Sequence, residues 1–197
     1  MKKIAFFDFD GTITAKDTLL ELIKYQKGKA RFYAGFLVNA PVLAALKLKL
    51  VSNQFAKEKV MQYFFKGVEL SSFQNACDNF VADKLPAIIR PDAIVEIKKL
   101  QDLGFEIIIV SASAENWIKK WSDEFGIQLI ATQLETVDKR LTGKVKGKNC
   151  NGEEKAIRIR SAYDMSQYDQ IYAYGDSSGD EAMLKLATKA FYKPFRG

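Results

Sequence analysis

Histidine is absent from this chain of 197 residues, and Cys77 and Cys150 are its only cysteines. The first absence removes Ser-His-Asp and Cys-His catalysis and any zinc site built on imidazole. The second leaves no disulfide framework and no cysteine-rich metal centre. No internal repeat or low-complexity linker is present, and no Gly-x-x-x-x-Gly-Lys-Ser/Thr segment, so a P-loop nucleotide site is excluded. Uninterrupted apolar runs of spanning length are also missing. The most apolar stretch, Phe32 to Val51, contains Asn39, Pro41, Lys47 and Lys49, a poor fit to a helix of about 20 apolar residues. Met1-Lys2-Lys3-Ile4 leads at once into a short apolar run ending in acidic residues, so a signal-peptide core is not expected and the chain is read as cytoplasmic. Chemistry here must run on carboxylates, hydroxyls and lysine, with or without an oxygen-ligated metal.

What is present suits a folded enzyme-sized domain. Apolar residues make up 48% and charged residues 27%, which argues against disorder and allows a core domain with a modest insertion. The formal charge is +6. Its basic residues are read as interspersed with acidic ones, a mixed-charge surface with no nucleic-acid partner expected. Such a surface still attracts anionic small molecules or an anionic membrane.

Four apolar runs read as buried strands: Ile4 to Phe7, Phe105 to Val110, Gln128 to Ala131 and Ile171 to Tyr174, with Ala190 to Lys193 as an edge candidate before Pro194. Helical patterns separate them. Asp92 to Leu103 lies between Pro91 and Gly104, Ala114 to Phe125 carries Trp117, Ile118 and Trp121, and Asp180 to Ala187 follows the fourth strand. Alternating strands and helices predict an α/β fold with a Rossmann-like parallel sheet. Residues from Ala15 to Ile88 carry no strand pattern and read as a helical insert after the first strand. Leu134 to Lys148 alternates, with turn signals at Asp138-Lys139 and Gly143, and reads as a β-hairpin.

The chemistry collects at strand ends. Asp8-Phe9-Asp10-Gly11-Thr12 closes the first strand, at the end where open α/β sheets bind ligands. An Asp-Gly turn would need only Asp10 and Gly11; it leaves Asp8, a charge placed where burial begins, unexplained. The second strand ends in Val110-Ser111-Ala112-Ser113, read as opening a helix, where a hydroxyl and free N–H groups make either an anion site or an ordinary cap. The fourth ends in Gly175-Asp176-Ser177-Ser178-Gly179-Asp180, and Lys155 precedes a helix beginning near Ala156. Parallel neighbours bring such ends together. Clustered carboxylates without histidine select a hard cation such as Mg²⁺, and a hydroxyl, N–H groups and a lysine around it suit a phosphoryl group.

In that order the motifs resemble the haloacid dehalogenase (HAD) superfamily, and within it the phosphoserine-phosphatase-like branch, subfamily IB. The resemblance covers nearly the whole chain and implies a HAD core at 1–14 and 89–197 with a helical cap at 15–88. It implies Asp8 as the nucleophile that forms an aspartyl phosphate, Asp10 as general acid and base, and a small phosphomonoester as substrate. Ser111 with neighbouring N–H groups, and Lys155, would hold phosphoryl oxygens. Asp8, Asp176 and the backbone carbonyl of Asp10 would hold Mg²⁺, with Asp180, Gly11, Thr12, Ala112 and Ser177 either supporting those ligands from behind or contacting the phosphate. On this reading Lys155→Ala lowers the rate without unfolding the protein.

The chain departs from the branch where substrate is chosen. Ala112 and Ser113 stand for two glycines, Gly179 stands for the usual Asn, Asp17 matches an amine-holding acid, and Lys59 falls near the position of a carboxylate-gripping arginine. Phosphoserine is therefore not the expected substrate. Phe32 to Leu50 is expected as a buried helix of the cap bundle; the alternative is contact with an apolar substrate or a membrane, as in a lipid-phosphate phosphatase. A module that receives phosphate on aspartate without turnover is the remaining alternative. It is disfavoured by Asp10 and by the helical insert.

Overall fold

In the computed structural model, which describes residues 2–196, the strand carrying the Asp pair is β1 (Lys2–Phe7). It lies at the centre of a five-stranded sheet of order β3-β2-β1-β6-β7. The others are β2 (Phe105–Ala114), β3 (Gln128–Thr132), β6 (Tyr168–Gly175) and β7 (Lys189–Tyr192). Every neighbouring pair is parallel. Phe7 stands opposite both Ile109 of β2 and Tyr174 of β6, so β1 and β6 end together at Asp8 while β2 runs on beside it to Ala114.

The side-chain period of two divides β1 between two cores. Ala5 and Phe7 face one cluster with Ala93, Ile97 and Leu100 of α4 (Pro91–Asp102). Ile4 and Phe6 face the other, closed by Ile159 of α6 (Glu153–Ala162) and Met183 of α7 (Glu181–Leu184). Both faces are covered, which is why the strands read as near-continuous apolar runs.

The expected hairpin is β4 (Leu134–Val137) with β5 (Arg140–Val145), turning through Asp138 and Lys139 at positive φ. The insert is helical: α1 (Thr18–Lys47), α2 (Asn53–Phe65) and α3 (Leu70–Asp83). α1 is two helices joined at Gly28, whose φ of 78° and ψ of 161° no helix contains. The two chain crossings between insert and sheet lie side by side, bridged at Thr14 and Ile89, with Ala15 N–H donating to Ile88 O at 2.7 Å and Arg90 N–H to Ile13 O at 2.8 Å.

Three expectations are corrected. β2 does not end at Val110 to open a helix. It continues through an irregularity between Ser111 and Ala114, because pairing of Ser111 with Ala131 and of Ala114 with Thr132 of β3 keeps it extended. The helix expected over Ala114 to Phe125 is accordingly a 3₁₀ turn at Glu115–Trp117 and a short α5 (Lys119–Glu124). Third, the apolar segment from Phe32 to Leu50 is not buried in the cap bundle: Leu37 is 77% and Leu50 74% exposed, and Tyr33, Val38 and Leu48 are exposed beside them. Only its Phe32, Gly35 and Asn39 side is buried, and the Tyr63 and Phe64 rings of α2 close over Gly35 there.

Candidate active site

The end of β1 delivers Asp8 into a nearly water-free position, and its charge is met on both oxygens. Lys155 Nζ donates to Oδ1 at 2.6 Å, and Thr12 Oγ1 to Oδ2 at 3.2 Å. Lys155, 1% exposed at the start of α6, also donates to Asp180 Oδ1 at 2.7 Å and to the carbonyl of Val110 at 2.7 Å. All three ammonium hydrogens thus have acceptors. Burial opposes the Lys155 charge, but the carboxylates of Asp8 and Asp180 outweigh it and push its pKa up. Burial pushes Asp8 up to about 7 despite Lys155, with Asp180 adding repulsion.

Asp180 holds the loop after β6. Its Oδ2 accepts from the N–H groups of Asp176 and Ser177 at 3.1 and 2.9 Å and from Ser177 Oγ at 2.9 Å. Burial would raise this carboxyl, but Lys155 and the Ser177 donors bring it below its ordinary value. Asp176 is thereby aimed at Asp8 across Gly11, and Arg196 pairs with it. Gly11 sits at φ 82°, and a Cβ there would lie 2.5 Å from Asp176 Oδ2, so no other residue fits. Asp8, Asp176 and Asp180 each offer an oxygen within 4.8 Å of the others. Three carboxylates against Lys155 and Arg196 are a hard-oxygen donor set that still carries one uncompensated negative charge, and they fit Mg²⁺.

Asp10 turns the other way. Oδ1 accepts from the N–H of Thr18 at 2.7 Å, and Oδ2 accepts from Ser113 Oγ. Burial and the charge of Asp17 raise it to about 6 against those two hydrogen bonds. One strand end has therefore produced two carboxylates in different surroundings, one facing the lysine and the other facing the cap.

These groups line one cavity of about 460 Å³ between the sheet and the insert. Asp8, Asp10, Gly11, Asp17, Ala112, Lys155, Asp176, Ser177 and Asp180 border it, while Leu19, Leu20, Phe36, Leu43, Leu46 and Val60 form its apolar roof. Asp17 caps α1, accepting from Leu20 N–H at 3.0 Å.

Two expected residues are placed elsewhere. Ser111 is fully buried beneath the cavity wall, accepting Ser113 N–H at 3.0 Å, and does not border the cavity, because β2 stays extended there. Lys59 is exposed on the outer side of α2, its ammonium 5.3 Å from the centre of the Phe55 ring; side chains two positions apart on a helix diverge by more than a right angle, and it is Lys57 that borders the cavity.

Sequence reasoning missed Ser113, Lys57 and Asn151. Ser113 was noted only as a departure from glycine, although a hydroxyl two residues beyond Ser111 on a strand shares its face. Lys57, inside α2, donates to Ala112 O and to Asn149 Oδ1 at 3.2 Å; no spacing distinguishes it from the lysines around it. Asn151 borders the cavity where a Cβ on Gly179 would overlap its Oδ1, so the loop before α6 fills the space that the usual Asn side chain would take.

Comparison with known proteins bears on the fold and the family. Protein CicA of Caulobacter vibrioides is 33% identical over 193 residues, covering 97% of this chain and 86% of its own. A phosphoserine phosphatase of Methanocaldococcus jannaschii is 24% identical over 94% of this chain and 82% of its own. Among solved structures, a protein of unknown function from Bordetella pertussis superposes with a TM-score of 0.82 at 20% identity, over 96% of this chain and 89% of that one. A phospho-aspartyl intermediate analogue of phosphoserine phosphatase superposes with a TM-score of 0.70 at 19% identity, over 96% and 85%. The family profile of haloacid dehalogenase-like hydrolases matches residues 5–185, and the chain belongs to that family.

Proposed function

We infer that the protein is a Mg²⁺-dependent phosphatase that hydrolyses a phosphomonoester through an aspartyl phosphate on Asp8. The observation that carries this is the division of labour at one strand end, with Asp8 held by Lys155 beside Asp176 and Asp10 held apart by Thr18 and Ser113. Asp8 Oδ attacks phosphorus, the bond from phosphorus to the ester oxygen breaks, and Asp10 gives that oxygen its proton. Asp10 then takes a proton from the water that attacks the aspartyl phosphate, releasing inorganic phosphate and restoring both carboxyl groups. Asp8, Asp176 and the Asp10 carbonyl would hold Mg²⁺, which supplies charge neutralisation to the phosphoryl oxygens. Lys155 neutralises Asp8 and the same oxygens, Asp180 positions Lys155 and the Asp176 loop, and Ser113 orients Asp10. Residues 15–88 act as a cap over the cavity, carried on the paired crossings at Thr14 and Ile89.

A module that only receives phosphate would not need an oriented second carboxyl facing the substrate side, and the placement of Asp10 supports turnover. The test is hydrolysis of para-nitrophenyl phosphate with and without Mg²⁺. Turnover is expected to require the metal and to disappear in Asp8→Asn; an active Asp8→Asn protein would defeat the nucleophile assignment.

A further inference from the structure

The cap presents an apolar surface that the protein itself leaves uncovered. Tyr33, Leu37, Val38 and Pro41 recur at helical spacing along the outer face of the second half of α1, with Leu48 and Leu50 just beyond its end, and all are exposed. The inner side of the same helix is apolar too, placing Phe36, Leu43 and Leu46 in the cavity roof. A helix apolar on both sides belongs between two apolar phases, and here only one of them is protein.

Charge says what the other is. The whole chain carries +6, yet from Leu22 to Lys57 there are seven basic residues and no acidic one, so the rest of the chain is near neutral. The expectation of evenly mixed charge does not hold here. Lys29, Arg31, Lys47 and Lys49 are exposed around the apolar face, where long lysine and arginine stems lie along a bilayer with their charges at the headgroups. A second copy of this chain on the face would bring the same cations together with no acid of the segment to pair them. Among the described residues no helix is long and apolar enough to cross a membrane, so lipid contact by this segment would be along a surface.

We propose that the second half of α1 docks on an anionic membrane surface and that the substrate is a phosphorylated lipid, its phosphate at Asp8 and its apolar chain under Phe36, Leu43 and Leu46. This deepens the phosphatase reading and rests on it. The docking face and the cavity roof are opposite sides of one helix, so an amphiphile leaving the bilayer passes from lipid to roof around that helix while its headgroup moves toward the carboxylates.

The test uses the full chain, floated with phosphatidylcholine vesicles with and without phosphatidylglycerol. The wild type is expected to float with the anionic vesicles and to be released by high salt, while a Leu37→Glu/Val38→Glu variant stays at the bottom. That variant is expected to keep its para-nitrophenyl phosphate turnover and to lose at least about tenfold in hydrolysis of lysophosphatidic acid presented in the anionic vesicles. A wild type that stays at the bottom, or that hydrolyses glycerol 3-phosphate as fast as lysophosphatidic acid, overturns the proposal. So does a variant that converts a dimer to a monomer in sizing, which assigns the face to a second copy. Wild type inactive on para-nitrophenyl phosphate would count against the phosphatase reading instead, because flotation reads the docking face without turnover.

Discussion

The burial of Lys155 gives it an expected role in stability beside the chemical one expected from the sequence. A lysine in a loop before a helix is ordinarily solvated, and its loss was expected to affect rate alone. In the fold it is 1% exposed and is the cation between two buried carboxylates. Removing one partner of such a cluster typically costs about 3–5 kcal/mol, because the remaining charges stay buried and unpaired. Lys155→Met is therefore expected to lower the thermal midpoint by roughly ten degrees in metal-free buffer, besides abolishing turnover. Calorimetry on the variant checks this, and an unchanged midpoint would show that Asp8 and Asp180 are not held as the geometry has them. Ser111 and Ser113 carry a similar lesson, since both were visible but only the bulged path of β2 decides which hydroxyl meets Asp10.

At the level of elements, the cap places one cation over the site from α2. Burial lowers the pKa of Lys57 to about 8, with Asp10 and Asp17 pushing the other way. Below that pH Lys57 is charged and attracts a phosphate dianion; above it the charge is lost. KM for a soluble phosphomonoester is therefore expected to rise as pH passes about 8 in the wild type and to stay flatter in Lys57→Met, whose KM is higher throughout. The sign for stability is opposite. A lysine with a lowered folded-state pKa binds fewer protons folded than unfolded above that value, so its destabilisation is full below about 8 and fades toward the unfolded value of 10.5. Lys57→Met should thus be at least as stable as wild type at neutral pH, separating a substrate-binding role from a structural one. A variant with unchanged KM across the range would remove Lys57 from the site. The strands and α4 were legible because period-two and helical patterns need only local burial, whereas α5 and the extended end of β2 depend on pairing with β3, which no local pattern records.

For the whole molecule, three carboxylates gathered from the ends of β1 and β6 make metal binding a stabilising event, since the folded state alone assembles them. Mg²⁺ at about a hundredfold excess over its dissociation constant is expected to add about 2.7 kcal/mol, seen as a higher thermal midpoint. The shift should vanish in Asp176→Ala; a full shift in that variant would place the ion elsewhere. The alternating apolar runs and the chain order of motifs by themselves determined the parallel sheet and the family, and they supply the candidate nucleophile on which the proposed phosphoryl chemistry rests. Strand ends in a parallel sheet must converge, and Asp8 had no other explanation at the edge of burial. The tertiary structure decided which cap lysine reaches the cavity, which serine orients Asp10, and that the apolar half of α1 faces outward. Those outcomes depend on which side of a helix or strand meets a neighbour distant in sequence, and an apolar side chain reads the same whether protein or lipid is to cover it.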